Sequence, residues 1–222
     1  MTSFNPAPRS KPNPTEGRLT RLLNVLAQWW WTPPIATRHE LADFLRSQAA
    51  YIAQKTIDDY CRARVGLFSH ALYAERSFLD ALALSRSHGF AAVLADLVVI
   101  LEGLLRPHGS LRNEALTDLY RSTLEDTPRL TPEPPDWTAA IGELTQRLDQ
   151  IRSTAPLPAA RIAETSGRRI FEALPIHRRY SGNDAEIIAN SISFQMVALR
   201  ERLARRLDVA ALAGILSDPP RP

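Results

Sequence analysis

The sequence predicts an all-α fold, a single orthogonal or bundle-like helical domain of about seven to nine helices. Apolar residues recur at spacings of three and four in segment after segment, and no strand-like alternation of β-branched residues persists anywhere. Leucine and alanine dominate while glycine is scarce at 9 of 222 residues, which favours helices over a turn-dense β protein. Turn chemistry is confined to a few places, above all 127–136, and no internal repeat interrupts the pattern. The expected domain runs from 15 to 216, after a disordered tail (1–14) and before a flexible end (217–222).

Each element follows from local chemistry. Met1 to Pro14 carries four prolines and no apolar run, so neither a helix nor an export signal is expected there. Thr15 caps a first helix, with Leu19, Leu22, Leu23, Leu26, Trp29 and Trp30 on one side and Arg18 and Arg21 towards water; Thr32, Pro33 and Pro34 stop it. Thr37 and Glu40 have capping-box spacing and open a long helix from Arg38 to Arg64, which Gly66 ends. Further helices are expected from Ser69 to Ser87, with a break near Glu75, from Phe90 to Leu105 and from Leu111 to Glu125, with Pro107 to Ser110 as a turn. The segment Phe90 to Leu105 is the most apolar, yet Asp96 and Glu102 interrupt it, so it reads as a buried central helix rather than a membrane span. Thr127 to Asp136 holds four prolines and cannot be helical. Asp136 caps a helix to Ile151, Pro156 and Pro158 open one to Leu174, and Asn183 with Glu186 forms a second capping box. The last long helix then runs to Leu207, with Ile188, Ile192, Met196, Leu199, Leu203 and Leu207 on one stripe and Arg200, Arg202, Arg205 and Arg206 mostly off it.

Charge excludes less than it suggests. The 27 basic residues are arginines except for Lys11 and Lys55, as the codon bias of a GC-rich bacterial genome would give, and 24 acidic residues are interspersed with them. Nucleic acid is therefore not an expected partner, because basic residues are dispersed and aromatics are not interleaved with them. The lone Cys61 excludes an internal disulfide and clustered-thiolate metal sites, and fits a reducing cytoplasm.

No sequence signature of a hydrolase elbow, P-loop, dinucleotide fold or zinc protease is present, so no catalytic residue is assigned and no cofactor or metal is expected. His39 and Asp43 have i, i+4 spacing but no third ligand beside them. Ser110, Ser166 and Ser181 each adjoin a glycine and read as turn or cap residues. The segment Lys55 to Arg64 mixes charge with Tyr60 at helical spacing, with Lys55–Asp59 and Asp58–Arg62 as i, i+4 pairs. In a cleft, Lys55, Arg62 and Arg64 would bind an anion while Asp58 or Asp59 orients them; on a solvated face they are surface ion pairs. A second anion site is read from His177, Arg178 and Arg179, which precede a helix N-terminus. Asp96, inside the most apolar segment, requires a partner or a proton.

The run Asp58-Asp59-Tyr60-Cys61, followed by Val65-Gly66, resembles the acid-rich helix of squalene and phytoene synthases. That resemblance implies an all-α enzyme whose aspartates hold magnesium on a diphosphate. It covers only residues 58–66, a second aspartate-rich helix is missing, and no site residue is carried over.

Trp29, Trp30 and Trp31 cannot all face one core, because neighbours on a helix are turned by about 100°. With Arg202 and Arg206 of the last helix they are the expected interface residues. The function expected first is a cytoplasmic binding, adaptor or accessory protein with a protein partner or a second copy of itself. A small enzyme acting on a phosphate- or carboxylate-bearing molecule is the alternative, and attachment to a membrane surface through 15–31 is the third reading.

Overall fold

In the computed structural model the described residues are 33–66, 69–109, 111–128, 130–131, 135–176 and 184–217. The tail, the first helix and Trp29 to Trp31 lie outside them. The chain divides after Pro34, and the compact unit from Ile35 to Pro222 holds every element below.

Among the described residues there are eight α-helices and no strand: α1 (Arg38–Val65), α2 (Ser69–Leu72), α3 (Arg76–Leu105), α4 (Asn113–Glu125), α5 (Thr138–Arg152), α6 (Ala159–Ala173), α7 (Ala185–Arg206) and α8 (Val209–Ser217). The all-α expectation holds. A single parallel bridge pairs Ile35 with Leu207: the Ile35 amide donates to the Arg206 carbonyl at 2.7 Å and the Asp208 amide to the Ile35 carbonyl at 2.9 Å. It ties the entry of α1 to the exit of α7.

α1 begins and ends as its sequence dictates. The Thr37 hydroxyl accepts the Glu40 amide at 3.2 Å, and the Glu40 carboxylate accepts the Ala36 and Thr37 amides, each at 3.0 Å. Those backbone donors hold the Glu40 carboxyl below its ordinary pKa. Gly66 closes the helix at φ +52°, a left-handed conformation that suits glycine, and its amide donates to the Arg62 carbonyl.

The expected helices 69–87 and 90–105 are instead one short turn, α2, and one continuous 30-residue helix, α3. The break falls before Arg76 and not at Gly89. Gly89 stays helical because its missing side chain is a packing requirement: a Cβ there would come within 2.8 Å of Ile57 Cδ1 and 3.2 Å of Ile170 Cγ1. Three helices, α1, α3 and α6, converge on it. By length and composition the stretch Arg76–His108 could cross a membrane, but 72% of its most apolar window is buried against protein. It is the central helix of the unit, and its residues from Phe90 to Leu105 face neighbours on nearly every side.

Buried residues from both sides of the proline-rich segment belong to one core, from Leu41 and Ile57 through Leu97 and Tyr120 to Ile170, Met196 and Leu216. The α7 stripe Ile188, Ile192, Met196, Leu199 and Leu203 is part of that core. The closest crossing joins α6 to α7, where a Cβ on Gly167 would lie 2.7 Å from the Ala189 Cα. Ser166 and Gly167 are thus mid-helix residues on a buried face, not a turn or cap.

Three helix ends differ from expectation. α5 has Trp137 as its N-cap residue, although the Asp136 carboxylate does hold the Thr138 amide at 2.9 Å, and the Thr138 side chain and then its amide lower the Asp136 pKa. At α7 the N-cap is Asp184, which makes no side-chain cap bond because its carboxylate is engaged by Tyr60 and Arg64; Asn183 of the expected capping box lies outside the described residues. α8 follows Leu207 directly; its Asp208 carboxylate caps the Ala211 amide at 3.1 Å, and Leu212 and Leu216 reach the core.

Candidate functional site

The charged residues of α1 that were read as a possible anion site do not converge. Lys55 donates to Asp59 at 2.6 Å on an exposed surface. Asp58 does not pair with Arg62; it faces α3 and accepts Nε and Nη2 of Arg86 at 3.0 and 2.6 Å. Arg62 lies exposed. Arg64 pairs with Asp184, whose carboxylate also accepts the Tyr60 hydroxyl at 2.8 Å. The two adjacent aspartates therefore serve two different cations, and no pair of carboxylates is left facing one metal ion. The likeness to the isoprenoid synthases does not extend to a magnesium site among the described residues, where no group of three or more metal-ligating side chains occurs. His39 and Asp43 do meet, at 3.3 Å, but Asp43 is shared with Arg46.

Cys61, beside this cluster, is fully buried, and burial pushes its thiol up to about 12. Of the second anion site, His177, Arg178 and Arg179 lie outside the described residues.

Asp96 has the partner its burial demands. It is 0% exposed and accepts Nη1 of Arg147 at 2.5 Å and the Ser166 amide at 3.1 Å, while Arg147 Nη2 donates to the Ile162 carbonyl at 3.1 Å. One carboxylate on α3 thereby pins α5 and α6. Desolvation raises the Asp96 pKa, and Arg147 and Ser166 work against that rise. The arrangement is a structural lock: every Asp96 oxygen is held by a protein donor, so the group is not poised for chemistry on a substrate.

A comparable lock closes the end of α3. Arg106 grips Glu102 with Nε and Nη2, each at 2.7 Å, and donates to the Ile151 carbonyl at 3.0 Å and to the Thr154 carbonyl. It adds a charged donor to the Ile151 carbonyl, which already accepts the Thr154 amide and hydroxyl, and ties the turn after α5 to the end of α3.

The most exposed apolar side chain of the described residues lies on α7. Phe194, in the middle of α7, is 81% exposed, and Ile187 and Val197 on the same helix are 62% and 43% exposed. Tyr51 of α1, 58% exposed, lies across a groove of about 810 Å³ that Phe194 and Tyr51 line together with Lys55 and Arg202. Arg202 is held at the rim by Gln48 at 3.2 Å. Arg206, the other arginine expected at an interface, instead lies over the Phe44 ring at 5.1 Å, since it sits where α7 meets the start of α1. Phe194 and Ile187 were readable from the sequence: seven residues apart, they form a second apolar line outside the Ile188 stripe.

No protein-family model matches this chain, and no characterised protein and no solved structure is significantly similar to it.

Proposed function

We propose that this protein is a helical interaction module, an adaptor or accessory factor whose contact surface is the α1–α7 face centred on Phe194. The observation that carries this reading is Phe194 itself. A phenylalanine 81% exposed at mid-helix, with Ile187, Val197 and Tyr51 beside it, gains by leaving water on another protein surface. Aromatic anchors of this kind, rimmed by arginine, dominate the energetics of protein contacts. Arg202, held by the neutral Gln48, gives the face a cationic edge that favours a carboxylate on the partner, be it a second copy or another chain, whereas Lys55 is balanced by Asp59. The charged clusters favour this reading over an enzyme: Asp58, Asp59, Asp96 and Glu102 each serve a protein cation. A reducing cytoplasm suits a chain with one buried thiol.

Site-specific photocross-linking in the producing cell tests it. Benzoylphenylalanine at position 194 is expected to give one discrete adduct, with a second copy or with one other protein, and at the exposed Arg152 position none. No adduct at 194, or the same pattern from both positions, would overturn the proposal.

A further inference from the structure

Away from that face, a cavity of about 540 Å³ opens between α1, α3, the end of α4, the start of α5 and described residues of the proline-rich segment. Such a volume suits a small organic molecule. Its floor is apolar and buried, formed by Phe90 and Leu124, while Trp137 and the half-exposed Leu130 stand at its sides. At one end lies Arg86. Two of its nitrogens are fixed on Asp58, so the guanidinium is immobilised and its charge is already balanced. Nη1 has no partner among the described residues and remains a donor. At another point of the rim stands the exposed carboxylate of Glu125.

These features select the ligand by charge as well as by shape. A balanced ion pair beside the Glu125 carboxylate gives an anion nothing to gain. At the Arg86 end Asp58 is already taken, so among the described residues there the only carboxylate open to a cation is Glu125, exposed on the rim and away from the apolar floor. We propose that the cavity binds a small, uncharged, largely apolar molecule with one hydrogen-bond acceptor, such as a ketone or ester carbonyl. Its rings or alkyl groups lie on Phe90, Leu124, Leu130 and Trp137, and its oxygen accepts from Arg86. An acceptor end and an apolar body match what the cavity leaves unsatisfied.

The test uses the full chain and the uncharged naphthyl ketone 6-propionyl-2-dimethylaminonaphthalene, titrated by its emission shift. Saturable one-to-one binding is expected. Leu130→Glu, at an exposed position that leaves the fold intact, is expected to weaken it by about tenfold or more by placing a charge against the apolar body. Leu84→Glu, exposed on α3 outside the cavity, should leave it unchanged. The paired variant Asp58→Asn/Arg86→Met, which strands no charge, is expected to weaken binding severalfold, with circular dichroism confirming its fold. Absence of saturable binding, equal affinity in Leu130→Glu, or tighter binding of the anionic analogue 1-anilinonaphthalene-8-sulfonate would each overturn the proposal.

Discussion

Replacing Asp96 with alanine removes the carboxylate that holds α3 to α5 and α6. The Ser166 amide, a mid-helix donor, loses its charged bond to the carboxylate, worth about 1.5 to 3 kcal/mol. The charged bond to Arg147 is worth a further 1.5 to 3 kcal/mol or so. Two effects reduce the sum. The desolvation that raises the Asp96 pKa is relieved, and Arg147, 19% exposed, keeps its bond to Ile162 and reaches the adjoining cleft instead of being stranded. A net loss of about 3 kcal/mol is expected in urea unfolding followed by far-ultraviolet circular dichroism. A double-mutant cycle with Arg147→Met should give a coupling of at least about 1.5 kcal/mol. The pH dependence has a definite sign. Because the folded-state pKa lies above the ordinary 3.8, the unfolded chain releases this proton first as pH rises. The contribution of Asp96 is therefore largest below pH 3.8 and declines as pH climbs through the raised value, so the gap between wild type and Asp96→Ala widens on acidification. A loss under about 1 kcal/mol, or a coupling near zero, would refute the lock.

Other substitutions test the packing directly. Gly167→Ala must push α6 from α7 and should destabilise by about 2 kcal/mol despite a better helix propensity, whereas Gly142→Ala, with nothing within 4 Å, should stabilise by about 0.5 to 1 kcal/mol in the same titration. Cys61 should resist dithionitrobenzoate in the native protein. The change from 9.0 to about 12 lowers the thiolate fraction about 1,000-fold, and rapid labelling before unfolding would contradict its burial. Arg106→Leu strands the buried Glu102 and frees the turn after α5, and is expected to cost about 2 to 3 kcal/mol in denaturant; a loss within 0.5 kcal/mol or so would show the grip to be ornamental.

Which features were legible in the sequence follows from the range of the interactions. Thr37 with Glu40, Gly66, and Pro158 before α6 act within one helical turn, and the helix ends they specify are found where the residues place them. Gly89 misled for the opposite reason. A glycine in a helix is locally unfavourable by about 1 kcal/mol, so it reads as a break, and only the approach of Ile57 and Ile170 shows why the helix continues through it. Asp58 was assigned to Arg62 by i, i+4 spacing, but α3 supplies Arg86, 28 residues further on, with two bonds instead. That Asp96 needs a partner was evident from its apolar neighbours; that the partner is Arg147, 51 residues away, was not. α8 went unread because it follows α7 after a two-residue link that neither proline nor glycine marks. Arg202 of the exposed face is among the residues expected at an interface, but its apolar line through Ile187 and Phe194 is weaker than the Ile188 stripe and does not stand out from it in the sequence.

The stability of Phe194→Asp bears most directly on the claim that the α1–α7 face is a contact surface for another molecule. A side chain 81% exposed has almost no burial to lose, so urea unfolding of this variant is predicted to match the wild type within about 0.5 kcal/mol, while cross-linking from the neighbouring position 197 disappears. A loss of about 2 kcal/mol or more would mean that the chain itself already covers Phe194, and the face would not be available to a partner.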